Sequence, residues 1–157
     1  MSHEHVTGVE AEVAGYHLRL DRFYDPGTHF WVQPRPDGLL RMGLDALTAD
    51  TYGALAQLLI SPAGTAVDRG DPFGSIEAAK FVGPLLTPLT GRIAAVNDRA
   101  LDDPELVLRE PYDGGWLIDL DPSDLDGEGQ ALVADEAAHS WFRQAVDDHR
   151  RRGLVAE

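Results

Sequence analysis

The sequence predicts a mainly β domain, a sandwich or barrel of short strands, with one short internal helix and a helix at the C-terminal end. Three observations predict it. Between Tyr16 and Asp121 short apolar runs alternate with Gly, Pro, Asp and Asn turn signals. Asp45 and Gly53 bracket a segment of helical length. Beyond residue 130, apolar residues recur at helical rather than strand spacing.

In chain order, residues 1–15 are small, polar or acidic and read as a mobile tail, so order is expected from about Tyr16. Phe30-Trp31-Val32-Gln33, Asp37-Gly38 and Leu39 to Leu44 read as a β-hairpin around an Asp-Gly turn. Asp45 caps a helix running through Tyr52, with Gly53 as its stop. Strands are expected at 55–60, 72–77, 81–86, 91–97 and 116–120. Asp121 to Asp124 reads as a turn and Asp126-Gly127-Glu128-Gly129 as a flexible acidic link. A last helix follows on Ala134, Ala137, Ala138, Trp141, Ala145 and Val146, with Arg150, Arg151 and Arg152 favourable at its C-terminal dipole before Gly153. The organisation expected is a tail over 1–15, a core domain over 16–125 and a helical extension over 126–157.

Composition narrows the function. The net charge of −14 repels phosphate backbones and acidic lipid surfaces, so neither nucleic acid nor a membrane is an expected partner. The absence of cysteine excludes disulfides, thiolate metal sites and a cysteine nucleophile. Neither a secretion signal nor a spanning segment is visible, which makes the cytoplasm the expected location. His3 and His5 lie close together in the expected tail and suggest at most an adventitious metal site. No Ser-His-Asp pattern has supporting context, and Gly114-Gly115 lacks the pattern of a phosphate loop.

Of the 13 basic residues only Lys80 is a lysine. It lies between two strand-like runs, where a tight turn aims it outward. An unbranched stem ending in an amine that can form an amide suits a covalently attached group. The other readings of Lys80 are a solubilising surface lysine and a Schiff-base nucleophile. The last needs burial or a cationic neighbour to lower its pKa, and Glu77 acts in the opposite sense.

The series Thr28-His29-Phe30-Trp31, Gly43-Leu44, Gly70-Asp71-Pro72-Phe73-Gly74, Glu77-Ala78-Ala79-Lys80, Pro88-Leu89-Thr90-Gly91, Val96-Asn97, Pro104 to Val107 and Pro111 to Leu117 resembles the H protein of the glycine cleavage system over about residues 16–125. The resemblance implies a lipoyl-type flattened barrel-sandwich of two small antiparallel sheets, with lipoate in amide linkage to Lys80 on an exposed hairpin. Glu77, Ala79 and Phe81 flank that attachment point. Biotin carriers usually place Met beside the lysine, whereas Ala79 and Phe81 stand here. The chain is thus expected to be a carrier and not an enzyme, with a lipoate-attaching ligase or transferase and downstream enzymes as partners.

The family typically has a Glu after the motif His and an Asp shortly after the lysine; Phe30 and Pro84 occupy those positions. A cationic aminomethyl cargo calls for carboxylates that these residues do not supply. Lys80-Phe81-Val82-Gly83-Pro84 also resembles lipoate-binding proteins of the heterodisulfide-reductase-like sulfur-oxidation system. The expectation therefore leans to a sulfur-bearing cargo, with the aminomethyl carrier of glycine cleavage as the alternative and an unlipoylated interaction module below both. His29 is expected either to contact the resting arm or to be a hydrogen-bonded residue at a strand end. Trp31 and Trp116 are expected in the core, Trp141 as the anchor of the last helix, and the scattered Asp residues as a solubilising coat or a docking surface.

Overall fold

The computed structural model describes residues 5–7 and 9–156. Twelve strands, β1 (His5–Thr7), β2 (Glu10–Val13), β3 (Tyr16–Arg19), β4 (Phe23–Tyr24), β5 (Phe30–Pro34), β6 (Leu40–Leu44), β7 (Leu55–Ile60), β8 (Ala66–Val67), β9 (Pro72–Ala78), β10 (Val82–Leu86), β11 (Gly91–Val96) and β12 (Ile118–Pro122), form three antiparallel sheets among the described residues. The helices are α1 (Ala46–Tyr52), α2 (Asp98–Asp102), α3 (Leu106–Arg109), α4 (Leu125–Glu128) and α5 (Asp135–Arg151).

The six-stranded sheet, β4-β5-β6-β12-β11-β8, and the three-stranded sheet, β10-β9-β7, bury their apolar sides against each other. Phe30, Val32, Met42 and Leu120 come from one sheet, and Leu58, Phe73, Ile76 and Leu85 from the other. The mainly β expectation holds, but the described strands do not close a barrel. A third sheet, β1-β2-β3, is added to the two expected.

Both faces of β5 are buried, because its register alternates them between two cores. Phe30 pairs with Leu44 and Val32 with Met42 on the main core. Trp31 pairs with Gly43 and points into a second core with Ala11, Val13, Leu18, Phe142 and Val146. Gly43 has to be glycine here, since a Cβ would lie 2.7 Å from the Trp31 ring. The indole N–H donates to the Pro111 carbonyl at 2.9 Å. Trp31 thus takes the core role expected of it, while Trp116 is half-buried with the Arg41 guanidinium 3.9 Å above its ring.

The second core changes the expected N-terminus. Residues 10–13 form a strand with Ala11 and Val13 buried, in place of the tail expected over 1–15. The exposed-buried alternation of Glu10-Ala11-Glu12-Val13 and a tight Ala14-Gly15 turn, with φ of 52° and 95°, pair β2 with β3. His3 lies outside the described residues, among which no group of three or more His, Cys, Asp or Glu could hold a metal.

Downstream, the acidic link expected at 126–129 is instead the one-turn helix α4 and a 3₁₀ turn, Gly129–Ala131. Asp124 starts it by accepting the Gly127 N–H at 3.1 Å. The last helix buries Ala138, Phe142 and Val146; Ala137, expected on its apolar stripe, is exposed. Arg150 reaches back to donate to the Ala14 carbonyl at 2.6 Å, tying the helix end to the β2–β3 turn. No helix among the described residues is long and apolar enough to cross a membrane.

Candidate functional site

Lys80 stands exposed at the tip of the β9–β10 hairpin. Glu77 pairs with Val82, and the Ala78 N–H donates to the Phe81 carbonyl at 2.8 Å, which leaves Ala79 and Lys80 as the two tip residues. The tip is held from outside the hairpin. Ala79 N–H donates to the Ala54 carbonyl at 2.8 Å, and Lys80 N–H to the Tyr52 carbonyl at 2.9 Å.

Those two acceptors flank the end of α1, and local chemistry places them. The Asp45 carboxylate accepts the Thr48 N–H at 2.7 Å and starts the helix. Gly53 ends it, its N–H donating to the Ala49 carbonyl at φ 77° and ψ −158°. That conformation is available in practice to glycine alone and turns the chain so that the carbonyls on either side meet the hairpin. The absent side chain also leaves room for the lysine stem, since a Cβ on Gly53 would lie 3.3 Å from Lys80 Cε.

Phe81 and Tyr52 brace the tip from the side, their rings stacked at 4.2 Å and 7°. Gly83 makes space for this, because a Cβ there would lie 2.9 Å from the Phe81 ring. Burial, and next the charge of Asp45, raise the Tyr52 phenol, which stays neutral.

Beside the stack opens a cleft of about 270 Å³. Thr28 lines it from the turn ahead of β5, Phe30 from β5, Tyr52 from α1, and Phe81, Pro84 and Leu85 from the hairpin. Gly27, Leu44 and Leu86 complete the wall, so none of the lining side chains is a carboxylate or a cation. Phe30 and Pro84, far apart in sequence, meet in this one cavity.

His29 is elsewhere. Its φ of 65° turns the side chain out of the row formed by Thr28 and Phe30. Its Nδ1 lies 2.8 Å from Asp45 Oδ2, and its ring 4.8 Å from Trp141 and 5.7 Å from His149 on α5. His29 is hydrogen-bonded to Asp45 just ahead of β5, and it is not among the residues that line the cleft. Burial favours the neutral ring, but the charge and hydrogen bond of Asp45, with Asp25 beyond, outweigh it and raise the imidazole above its ordinary value. Trp141 anchors α5 here as expected, with Tyr24 5.8 Å away.

Several of the remaining acidic candidates make contacts within the fold. Glu77 and Ala79 are exposed beside Lys80. Asp119 binds Arg41 at 2.9 Å, Asp103 binds Arg109 at 2.7 Å and Asp71 accepts the Asp68 N–H at 3.0 Å. Gly115 packs where a Cβ would lie 2.7 Å from the Leu106 and Glu110 carbonyls. The contributions of Tyr52 and Ala54 were not legible in sequence, since a carbonyl acceptor carries no residue-type signal.

The glycine cleavage H-protein family model matches residues 22–145. The chain belongs to the glycine cleavage H-protein family. A glycine cleavage system H protein of Chlorobium phaeobacteroides is 41% identical over 108 residues, covering 69% of this chain and 85% of that one. Glycine cleavage system H protein 2 of Aquifex aeolicus is 28% identical over 136 residues, or 87% and 84% of the two chains. A crystal structure of a glycine cleavage system H protein from Mycobacterium marinum superposes with a TM-score of 0.62 at 32% identity, covering 68% of this chain and 87% of that one.

Members of this family are carriers, not catalysts, and bear lipoate on a lysine. An exposed amine next to an uncharged cleft fits an acyl chain that ends in an apolar ring.

Proposed function

We propose that Lys80 is the lipoylated residue and that the chain serves as the aminomethyl carrier of a glycine cleavage system. The observation that carries this reading is the placement of the only lysine, exposed on a two-residue tip that main-chain hydrogen bonds fasten to the end of α1. When bound, lipoate supplies two sulfurs that interconvert between disulfide and dithiol and can hold a one-carbon unit.

The chain's own part is positional. Tyr52 and Ala54 fix where the arm begins, and the lysine stem extends from there into solvent. Tethering raises the effective concentration of the attached group at each partner to about the millimolar range for a short flexible link. The partners under this reading are a lipoate-attaching ligase or transferase and the glycine cleavage enzymes.

Intact mass after co-expression with a lipoate ligase tests the attachment. One lipoyl adduct on the parent and none on Lys80→Arg is expected; an adduct that survives the substitution, or its absence from the parent with competent ligases, sinks the assignment. Glycine-dependent turnover with purified decarboxylase and aminomethyltransferase components then tests the cargo.

A second reading is favoured by the uncharged cleft, in which Phe30 and Pro84 stand at positions where the family typically has carboxylates. It is a sulfur-bearing cargo served to a heterodisulfide-reductase-like complex. Robust turnover with the glycine components removes the reason for preferring it.

A further inference from the structure

We propose that the open edge of β7 is a docking site for an extended, cation-bearing segment of a partner protein, which joins the three-stranded sheet as a fourth strand. Nothing in this depends on the group carried by Lys80. The four edges of the two sheets around the main core differ. β4 and β8, at the ends of the six-stranded sheet, are two residues long, and β4 is bridged by Val133. β10 carries Pro84. β7, Leu55-Ala56-Gln57-Leu58-Leu59-Ile60, has no charge, proline or glycine, and Leu59 is 55% exposed. Its one register shift, between Leu55 and Gln57, leaves the rest of the strand regular. Short length, proline and charge are the devices that close an edge to further pairing, and β7 has none of them.

Register fixes which main-chain groups face outward. The Ser61 N–H donates to the Phe73 carbonyl at 2.8 Å, so Ser61, Leu59 and Gln57 are the residues that bond across to β9. Leu58 and Ile60, opposite Ile76 and Gly74, therefore turn their N–H and C=O groups away from β9, and no hydrogen bond to those groups is found among the described residues. On the other edge the Ala78 N–H donates to the Phe81 carbonyl, and the same alternation turns Val82 and Pro84 outward. Pro84 has no N–H to offer there, which closes that edge at its centre.

α2 stands beside β7 without covering it. Between them lies a groove of about 480 Å³, lined by residues 56–60 on one side and by Leu101, Asp102 and Pro104 on the other. At about 3.3 Å per residue that run of β7 offers about 13 Å, enough for a strand of about four residues. Leu101 and Pro104 supply apolar contact. The one charged lining residue is the exposed Asp102, and the nearby Arg109 is taken by Asp103.

A second copy of this chain suits the site poorly, because it brings a net charge of −14 and its own β7 is walled by α2 in the same way. A slender free segment with a lysine or arginine suits both the walls and the charge. Main-chain bonds then supply the attachment and alternate side chains the selection. The partner is held in the same sheet as the hairpin that bears Lys80.

The probe is an acetylated, amidated hexapeptide of alternating valine and threonine in which one threonine is replaced by arginine, added to the full chain. The Leu58 and Ile60 amides are expected to exchange quickly in the free protein. The peptide is expected to slow both at least about tenfold in hydrogen-exchange NMR and to leave the outward Val82 amide unchanged. The same peptide with alternate N-methyl groups, which lacks the donors for a ladder, is expected to give no protection. Glutamate in place of the arginine is expected to weaken binding at least about threefold, and Asp102→Asn to remove most of that preference.

Absence of binding up to about 5 mM peptide, binding without protection at Leu58 and Ile60, equal protection at Val82, or equal binding of the N-methylated peptide overturns the proposal. So does indifference to the peptide's charge, or a charge preference untouched by Asp102→Asn. Protection of Leu58 and Ile60 that grows with protein concentration in the absence of peptide makes a second copy the occupant and overturns it as well.

Discussion

Replacing Gly53 by alanine strikes the point where α1 hands over to the hairpin tip. At φ 77° and ψ −158° the residue occupies a region in which an L side chain is strained. The new Cβ also lies 3.3 Å from Lys80 Cε and 3.5 Å from Ala79 Cβ. The first contact relaxes at little expense, because the lysine stem is long and exposed. The backbone strain does not relax without moving the carbonyls of Tyr52 and Ala54, which hold the tip at 2.9 and 2.8 Å.

Strain of this kind costs about 1–3 kcal/mol. At roughly 2–4 °C per kcal/mol for a domain of this size, Gly53→Ala is expected to lower Tm by about 2–12 °C. Calorimetry gives the shift, and hydrogen exchange locates it. The Ala79 and Lys80 amides are expected to exchange faster by more than the amides of the β5–β6 ladder. A Tm within about 1 °C of the parent, with unchanged exchange at both tip amides, refutes the reasoning.

Other consequences are as specific. The stacked Tyr52 and Phe81 rings are expected to show a coupling of about 0.5–1.5 kcal/mol in a double-mutant cycle through alanine, read by denaturant unfolding. Asn97 is buried and its amide donates to the carbonyls of Gly114 at 2.8 Å and Trp116 at 2.7 Å. Asn97→Ala leaves both acceptors unmet and is expected to destabilise by about 2 kcal/mol or more, measured as a fall in denaturant midpoint. The imidazole of His29 is raised in the folded protein from its ordinary 6.5, so its stabilisation is fully present below that value and is lost as pH rises through the folded one. The stability difference between the parent and His29→Gln is therefore expected to be larger at about pH 5.5 than at about pH 8.5; a difference that grows with pH contradicts the assignment.

What the sequence revealed was what local chemistry decides. The Asp37-Gly38 hairpin, the Asp45 cap and the Gly53 stop were legible because each depends on residues next to one another. The lysine was legible through its rarity. The β2–β3 hairpin escaped because Ala14-Gly15 is a weak turn signal and Ala11 and Val13 are small; their burial depends on α5, from the other end of the chain. The sequence pattern favours Ala137 where the helix buries Phe142, a choice between adjacent helical faces that only the packing partner settles. The cleft was half visible. Its missing carboxylates could be read at Phe30 and Pro84, but its union of the segment at 27–30 with α1 and the hairpin is tertiary.

The tip's fastening to α1 runs through peptide groups at both ends. Ala79 and Lys80 contribute N–H groups that any residue but proline possesses, and Tyr52 and Ala54 contribute oxygens that every residue possesses. The anchorage is consequently indifferent to the lettering of the exposed positions around it. The side chains at Glu77 and Ala79 can therefore change without loosening the tip, provided that Ala79 is not replaced by proline.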